Sequence, residues 1–452
     1  MNSSLPTTPT RRALLALAGA GGLASALAAC GGGSSPRDSA SSASNASTSA
    51  GDGGASGYTG PKVTLAFWNG FTGGDGPTMK KLVETFSSEH PNIAVTMTTM
   101  QWADYYAKLP TAVTSGKGPD IGIMHVDSVA TNAARNVIQP LDDVAAALGL
   151  KEADFAPVPW KAGIYKDKRY AIPLDVHPLG FYYNKDVMEK GGLDPEKPPT
   201  TADEYLAALE TLKGKGIQGH WASPFPFTGG LSVQALIYQF GGSLFDDAGT
   251  KVMWGEEPAI KAMTWWVDLI KKGYSPAKVD QDADYVAFKN GKTAFNWNGI
   301  WQINDLKQTK IGWGVAALPN IGGTPAAWAG SHQFVLPTRK TPDENKAQAF
   351  RVFLNWISEK SQAWAEAGQV PARNSARESA EFKALKEQSA LATQIDDLHF
   401  LPAVPGIGDC MTEFDKALNA AVLGGTDPAK ALGDSAGRAQ KILDANAKKY
   451  AG

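Results

Sequence analysis

Between Val63 and Val126, short apolar runs alternate with amphipathic stretches, and that alternation admits few architectures. Val63-Thr64-Leu65-Ala66-Phe67-Trp68 has the β-branched and aromatic content of a buried strand. After the glycine-rich turn Gly70 to Gly76, the residues Met79, Leu82, Val83 and Phe86 recur at helical spacing, which predicts a helix with one apolar face. A second strand, Ile93 to Met100, follows His90-Pro91-Asn92. Another helix-like stretch leads to Ser115-Gly116-Lys117-Gly118-Pro119 and a third strand, Asp120 to Val126. Parallel strands need a long crossover, usually a helix, so this order predicts a doubly wound α/β domain.

A second unit of the same kind is expected after Pro173. It has helices at Ala202 to Lys213 and at Ile260 to Lys271, the latter presenting Met263, Trp266, Val267 and Ile270 on one face. The region from Pro342 to Ser358 reads as a further amphipathic helix through Phe350, Phe353, Leu354 and Ile357. The chain beyond residue 60, about 390 residues, exceeds what one core usually serves, which favours two domains. No short internal repeat is visible. In open α/β sheets ligands lie at the carboxyl ends of the strands, so the loops after Trp68, after Val126 and around Asp175 are where a site is expected.

The N-terminus predicts an address. Arg11-Arg12 precede an uncharged Ala/Leu/Gly-rich run from Ala13 to Ala29, the pattern of a signal peptide (1–29). The run is too short and too rich in Ala and Gly for a permanent span, which needs roughly 20 strongly apolar residues. Leu27-Ala28-Ala29-Cys30 matches a bacterial lipobox, in which the Cys30 sulfur receives a diacylglycerol and becomes the first mature residue. Thr10-Arg11-Arg12-Ala13-Leu14-Leu15 also resembles a twin-arginine export signal, so the export route stays open. Residues 30–60 are mostly Gly, Ser, Ala and Asp without a large aliphatic side chain, a composition that predicts a flexible tether. The chain is therefore expected to be exported and lipid-anchored at the cell membrane, facing the periplasm or the exterior.

Net charge is −2, with no basic stripe, which argues against a nucleic-acid partner. With Cys30 acylated, Cys410 has no mate, so no disulfide is expected. Trp is abundant: there are 13, about twice ordinary usage, several beside Gly, Asn or Pro instead of inside periodic apolar runs.

Five stretches carry a family resemblance: Phe67-Trp68-Asn69 with the glycines after it, Gly118-Pro119-Asp120-Ile121, Tyr183-Asn184-Lys185-Asp186, Asn290-Gly291-Lys292-Thr293-Ala294-Phe295 through Gly299-Ile300-Trp301, and Gly312-Trp313-Gly314-Val315 ahead of Leu318-Pro319. In this order behind a lipobox, they resemble the extracellular solute-binding proteins of ABC importers, in the group that includes maltose- and glycerol-phosphate-binding proteins. The resemblance implies an α/β periplasmic-binding-protein-like fold of two lobes with a hinge and an interlobe ligand cleft. Lobe 1 would comprise 61–174 plus 320–372 and lobe 2 would comprise 178–316 plus 375–452. Chain crossings are expected near Pro173 to His177, Ala317 to Asn320 and Pro371 to Asn374. It also implies a monomer without enzymatic activity or cofactor, whose partners are a small sugar, the importer's permease subunits and, through them, the ATPase.

Sugar capture needs aromatic faces for pyranose C–H patches and planar polar groups for hydroxyls. Trp301 matches a family position at the end of a Gly-x-Trp turn, where a ring stacks on sugar. His125 and Asp127 follow the third strand, where first-lobe polar contacts are placed. His177 stands where maltose-binding relatives carry a carboxylate, and Asp175 is the nearest residue to take over that role. Trp221, Phe225 and Phe227 offer one stacking ring from the second lobe. Gly330, Ser331 and His332 would present backbone N–H groups, and Arg373 a bidentate donor. Trp68, Asn69 and Asp75 flank the glycine-rich loop, which resembles a phosphate cradle but lacks the Gly-Lys-Ser/Thr ending of a P-loop.

Two other classes share these residues. A secreted glycoside hydrolase would use Asp127 and Asp175 as acid and nucleophile. A metal receptor would draw His125, His177 and His332 onto one ion, although no His-x-x-x-His or Cys/His cluster is present and the aromatic content is high for that role. A carbohydrate receptor, with no metal in its site, is the reading favoured here, and a glycerol phosphate is the alternative cargo.

Overall fold

A computed structural model describes residues 57–451. The leader, Cys30 and nearly all of the tether lie outside the described residues. The strands in chain order are β1 (Val63–Asn69), β2 (Ile93–Thr99), β3 (Ile121–His125) and β4 (Ile138–Gln139). A hairpin of β5 (Ile164–Tyr165) and β6 (Lys168–Arg169) precedes β7 (Ala171–Pro173), β8 (Asp175–Asn184), β9 (Phe295–Gly299) and β10 (Trp313–Ala316). β11 (Ala327–Gly330), β12 (His332–Pro337), β13 (Val370–Pro371) and β14 (Leu398–His399) complete the set.

These strands form two mixed sheets, one in each lobe of an α/β molecule. The first runs β2-β1-β3-β12-β4, with β7 also on β12. β1 is parallel to β2 and β3, as the strand–helix alternation predicts, and β12 enters antiparallel to β3 from far along the chain. The second runs β10-β8-β11-β14, with β9 and β13 also paired to β8. β8 is buried along nearly its whole length because strands pair along its edges and core side chains cover its faces.

Helices fall where the apolar spacing puts them. Gly76–Glu89 buries Met79, Leu82, Val83 and Phe86. Glu257–Lys271 starts ahead of the expected Ile260 because Pro258, which has no N–H to leave unpaired, is tolerated in a first turn. Glu344–Glu359 starts after Asp343, whose side chain accepts from the Lys346 N–H. On the first sheet Phe67, Phe334 and Phe353 pack ring to ring, with Phe86 edge-on to Phe353. Trp254, Trp266 and Trp297 fill the core on the other side, joined by Phe414 and Leu443 from the helices Ile407–Val422 and Pro428–Lys449.

Asp120 knots the first sheet together. Its Oδ2 accepts from the Ala66 N–H on β1 at 2.8 Å and lies 2.9 Å from Lys346 Nζ, while Oδ1 receives the Arg339 guanidinium. Hydrogen bonds to a charged group contribute about 1.5–3 kcal/mol. Asp120→Ala should therefore lower the unfolding free energy by about that amount in urea denaturation, and an unchanged midpoint would show that the knot contributes nothing.

Candidate functional site

The chain passes from the first sheet to the second through one residue, Leu174, and returns through one residue, Ser331. The two passages lie side by side: the Leu174 N–H donates to His332 O, and the Ser331 hydroxyl donates to Asp175 O at 2.6 Å. The Ala317–Asn320 segment remains on the second-sheet side, where Gln239 Nε2 donates to Pro319 O and Ala326 O. β13 brings a third pass of chain to the same place, pairing Pro371 with Asp175 and Val370 with Val176.

Asp175 is fully buried at this joint, and both carboxylate oxygens are engaged. Oδ1 accepts from the His332 N–H at 2.9 Å and lies 3.3 Å from His177 Nδ1. Oδ2 lies 2.7 Å from His332 Nδ1 and accepts from Trp364 Nε1 at 2.7 Å. Burial alone would raise the pKa of this carboxyl. The charge of His332 and the hydrogen bonds of both histidines outweigh that and hold it well below the ordinary range. An acid so fully engaged cannot serve as the nucleophile of a hydrolase pair, and it reaches a ligand only through the two histidines.

His125 completes a cluster. It ends β3 opposite His332 on β12, and its Nδ1 lies 2.8 Å from the Tyr106 hydroxyl, which also accepts its backbone N–H. One ring nitrogen from each of His125, His177 and His332 lies within 4.8 Å of the others. Burial lowers the pKa of His125 and, less strongly, of His177, and the neighbouring histidines add to the shift. Gly330 makes the arrangement possible, because a Cβ there would overlap the His177 ring that faces it across β8 and β11.

Aromatic rings wall the cluster. Trp102 stacks on His332 at 5.8 Å and lies 4.3 Å from the His125 ring. Phe71 stands edge-on to His332 at 5.0 Å. Trp301 and Trp328 lie 6.4 and 6.3 Å from His177. The Trp301 ring folds back over Gly299, where any Cβ would collide with it, which is the physical content of the Gly-x-Trp turn.

Beyond Tyr106 a cavity of about 280 Å³ opens between the helix Val126–Ala134 and the two C-terminal helices, lined among others by Asp127, Ser128, Arg135, Asp409 and Tyr450. Asp127 is open to this space but deep within the surrounding protein, which raises its pKa. Asp75 precedes Gly76–Glu89 without capping it. Its Oδ1 is buried with no partner, and burial raises its pKa, with the charges of His332 and Asp175 also acting on it.

The structure thus gathers His125, Asp175, His177, Trp301, Gly330, Ser331 and His332 at one place, with Asp75 and Asp127 nearby. Trp68 is partly buried against the packing around Trp102 and Tyr106. Asn69 is turned inward, its Oδ1 accepting from the Phe71 N–H and the Thr99 hydroxyl. Of the expected backbone donors, the His332 N–H is spent on Asp175, and Ser331 is buried. Arg373 faces Ser358 and Glu359. Trp221 is partly buried with Nε1 unpartnered, Phe225 is partly buried, and Phe227 is 73% exposed; none makes a ring contact with the histidines. Sequence reasoning missed Trp102, Tyr106, Trp328 and Trp364. The first two had a signal, since they stand four residues apart and share a face of the helix Trp102–Thr114.

No helix among the described residues is long and apolar enough to cross a membrane. A binding protein of Brucella abortus (strain 2308) is 22% identical over 397 residues, covering 84% of this chain and 93% of its own. The sn-glycerol-3-phosphate-binding periplasmic protein UgpB of Escherichia coli (strain K12) is 24% identical over 270 residues, 57% of this chain and 61% of its own. Among solved structures, the GacH receptor of Streptomyces glaucescens GLA.O superposes with a TM-score of 0.74 at 23% identity, covering 85% of this chain and 99% of that one. The cyclic alpha-maltosyl-1,6-maltose binding protein of Arthrobacter globiformis gives 0.73 at 24%, with the same coverage. The model of the bacterial extracellular solute-binding proteins matches residues 81–390, and the chain belongs to that family.

Proposed function

We propose that this chain is the substrate-binding lipoprotein of an ABC importer and that its cargo is a carbohydrate. The observation that carries the reading is the site itself: imidazoles that hydrogen-bond hydroxyls stand inside a wall of tryptophan rings at the joint between two sheets. Rings of this kind bury the C–H faces of a sugar, while the polar groups fix its orientation. The names of two similar proteins point the same way: GacH was solved in complex with acarbose, and a relative in Pyrococcus abyssi is a maltotriose-binding protein. UgpB, named for sn-glycerol 3-phosphate, stands for the alternative cargo.

In this reading the two lobes are those expected from the sequence with one boundary moved: because β11 pairs with β8, the second piece of lobe 1 starts after Ser331 instead of at 320, so lobe 1 comprises 61–174 plus 332–372 and lobe 2 comprises 178–330 plus 375–452. They rotate about the passages at Leu174 and Ser331, and a sugar touching both lobes favours the closed state because it binds that state better. Trp301, Trp68, His125, Asp127, His177 and His332 contact the ligand, with Asp75 at the margin. No bond is made or broken. The permease recognises the closed form, and the acylated Cys30 holds the protein at the membrane.

Thermal unfolding of the body from Gly57, screened against mono-, di- and oligosaccharides and glycerol 3-phosphate, tests the cargo. A sugar at about 100 times its Kd should add about 2.7 kcal/mol and raise Tm by at least about a degree. A shift with glycerol 3-phosphate and with no sugar would overturn the carbohydrate assignment. Trp301→Ala should weaken the active sugar about tenfold or more, measured on protein that retains its circular dichroism because the ring also packs over Gly299. In cells, Cys30→Ala should abolish labelling by radioactive palmitate and release the protein from the membrane fraction; retained labelling would rule out Cys30 as the anchor.

A further inference from the structure

We infer that His125, His177 and His332 form a binding site for one divalent transition-metal ion of the zinc class, set into the joint between the two sheets. The three come from β3, β8 and β12, far apart in sequence, yet one ring nitrogen from each lies within 4.8 Å of the others. Asp175 only accepts, so Nδ1 of His177 and of His332 carries the proton and each ring keeps a free lone pair on Nε2. With a third lone pair from His125, the cluster is a donor set for a cation.

The surroundings fit that use. A metal-bound histidine donates its second ring N–H to an oxygen, which fixes the tautomer and aims the free lone pair. His177 Nδ1 and His332 Nδ1 face the Asp175 carboxylate at 3.3 and 2.7 Å, and His125 Nδ1 faces the Tyr106 hydroxyl at 2.8 Å. With Nδ1–H directed at these oxygens, each Nε2 is left as the donor atom. Asp175 is fully buried, and among the described residues its salt-bridge partners are His177 and His332 alone, with no Lys or Arg. A buried carboxylate needs a compensating charge, and an ion on the far side of those two imidazoles supplies it. Asp75 adds a second carboxylate in the same neighbourhood, with Oδ1 buried and unpartnered.

Geometry asks for a small adjustment. Zn–N bonds of about 2.0–2.1 Å in a tetrahedron place the nitrogens about 3.3–3.4 Å apart, so the rings close inward by roughly an ångström. Three imidazoles leave a fourth position for water or for an oxygen of the solute, as in open zinc sites. A neutral three-histidine set selects Zn²⁺, Co²⁺, Ni²⁺ or Cu²⁺ over Mg²⁺ and Ca²⁺, which prefer oxygen ligands.

This inference does not require the carbohydrate reading, and with zinc bound no imidazole nitrogen is left for a sugar hydroxyl, so a sugar oxygen then meets the cluster only at the fourth coordination position. The test is isothermal titration of the EDTA-stripped body from Gly57 with ZnCl₂, beside Co²⁺ titration followed by visible absorption. One Zn²⁺ per chain is expected, with the intense visible bands of low-symmetry, four-coordinate cobalt. His125→Ala, which leaves the Asp175 network intact, should weaken binding at least 100-fold. Tyr106→Phe and Asp175→Asn should each weaken it about 10- to 100-fold. MgCl₂ should give no saturable heat. Absence of saturable Zn²⁺ binding, or binding unaltered by His125→Ala in protein that retains its circular dichroism, overturns the proposal. Repeating the sugar screen with metal-free and zinc-loaded protein separates the two claims: a sugar shift without zinc binding overturns the metal site alone, and zinc binding lost in His125→Ala supports it whatever the sugars do.

Discussion

The joint between the sheets depends on one buried carboxylate. Asp175 stands immediately after one single-residue passage, and its main-chain and side-chain oxygens take hydrogen bonds from Ser331 and His332 at the other. The same carboxylate orients the His332 ring, faces the His177 ring and anchors Trp364 from a third segment. Its hydrogen bonds therefore do two things together. They hold the passages side by side, and they point two imidazoles toward a third that arrives on β3. Buried charges are costly unless surrounded by donors, and here four donor groups surround this one, so the position tolerates little variation in shape or charge.

Much of the scaffold was legible because it obeys local rules. Apolar spacing gave the helices, and the strand–helix alternation gave the parallel pairing of β1 with β2 and β3. The motifs that carried the family resemblance turn out largely to be joinery. Asn184 caps the helix Lys185–Gly191 through Oδ1 and ties it to Phe288 O through Nδ2. Asp186 accepts from the Gly312 N–H, linking two of those motifs directly. Asp120 knots β1 to the segment after β12. Short recurring patterns of this sort report how the chain is held together.

The site was legible in part, for the same reason in reverse. His125, Asp175, His177 and His332 were visible as polar residues at strand ends, where such folds place ligands. Their convergence was not visible, because it depends on β12 entering the first sheet antiparallel to β3, a pairing of strands about two hundred residues apart that no local pattern encodes. The His332 N–H is spent on Asp175 at the start of β8, so one of the expected backbone donors became a structural bond. Arg373 looked like a ligand donor from its place near a crossing, but its guanidinium faces Ser358 and Glu359 on the first lobe's flank. Trp102 and Tyr106 share a face of one helix, and only the tertiary fold brings them against His125 and His332.

The measurement that tests the central claim most directly is a crystal structure of the body from Gly57 grown with the sugar that binds it best. The account predicts the sugar at the joint, with a pyranose face on Trp301 and hydroxyl oxygens within hydrogen-bond reach of the His125, His177 and His332 cluster, touched by residues from both sheets. A sugar bound elsewhere, or one contacted by a single lobe with the three histidines untouched, would contradict it.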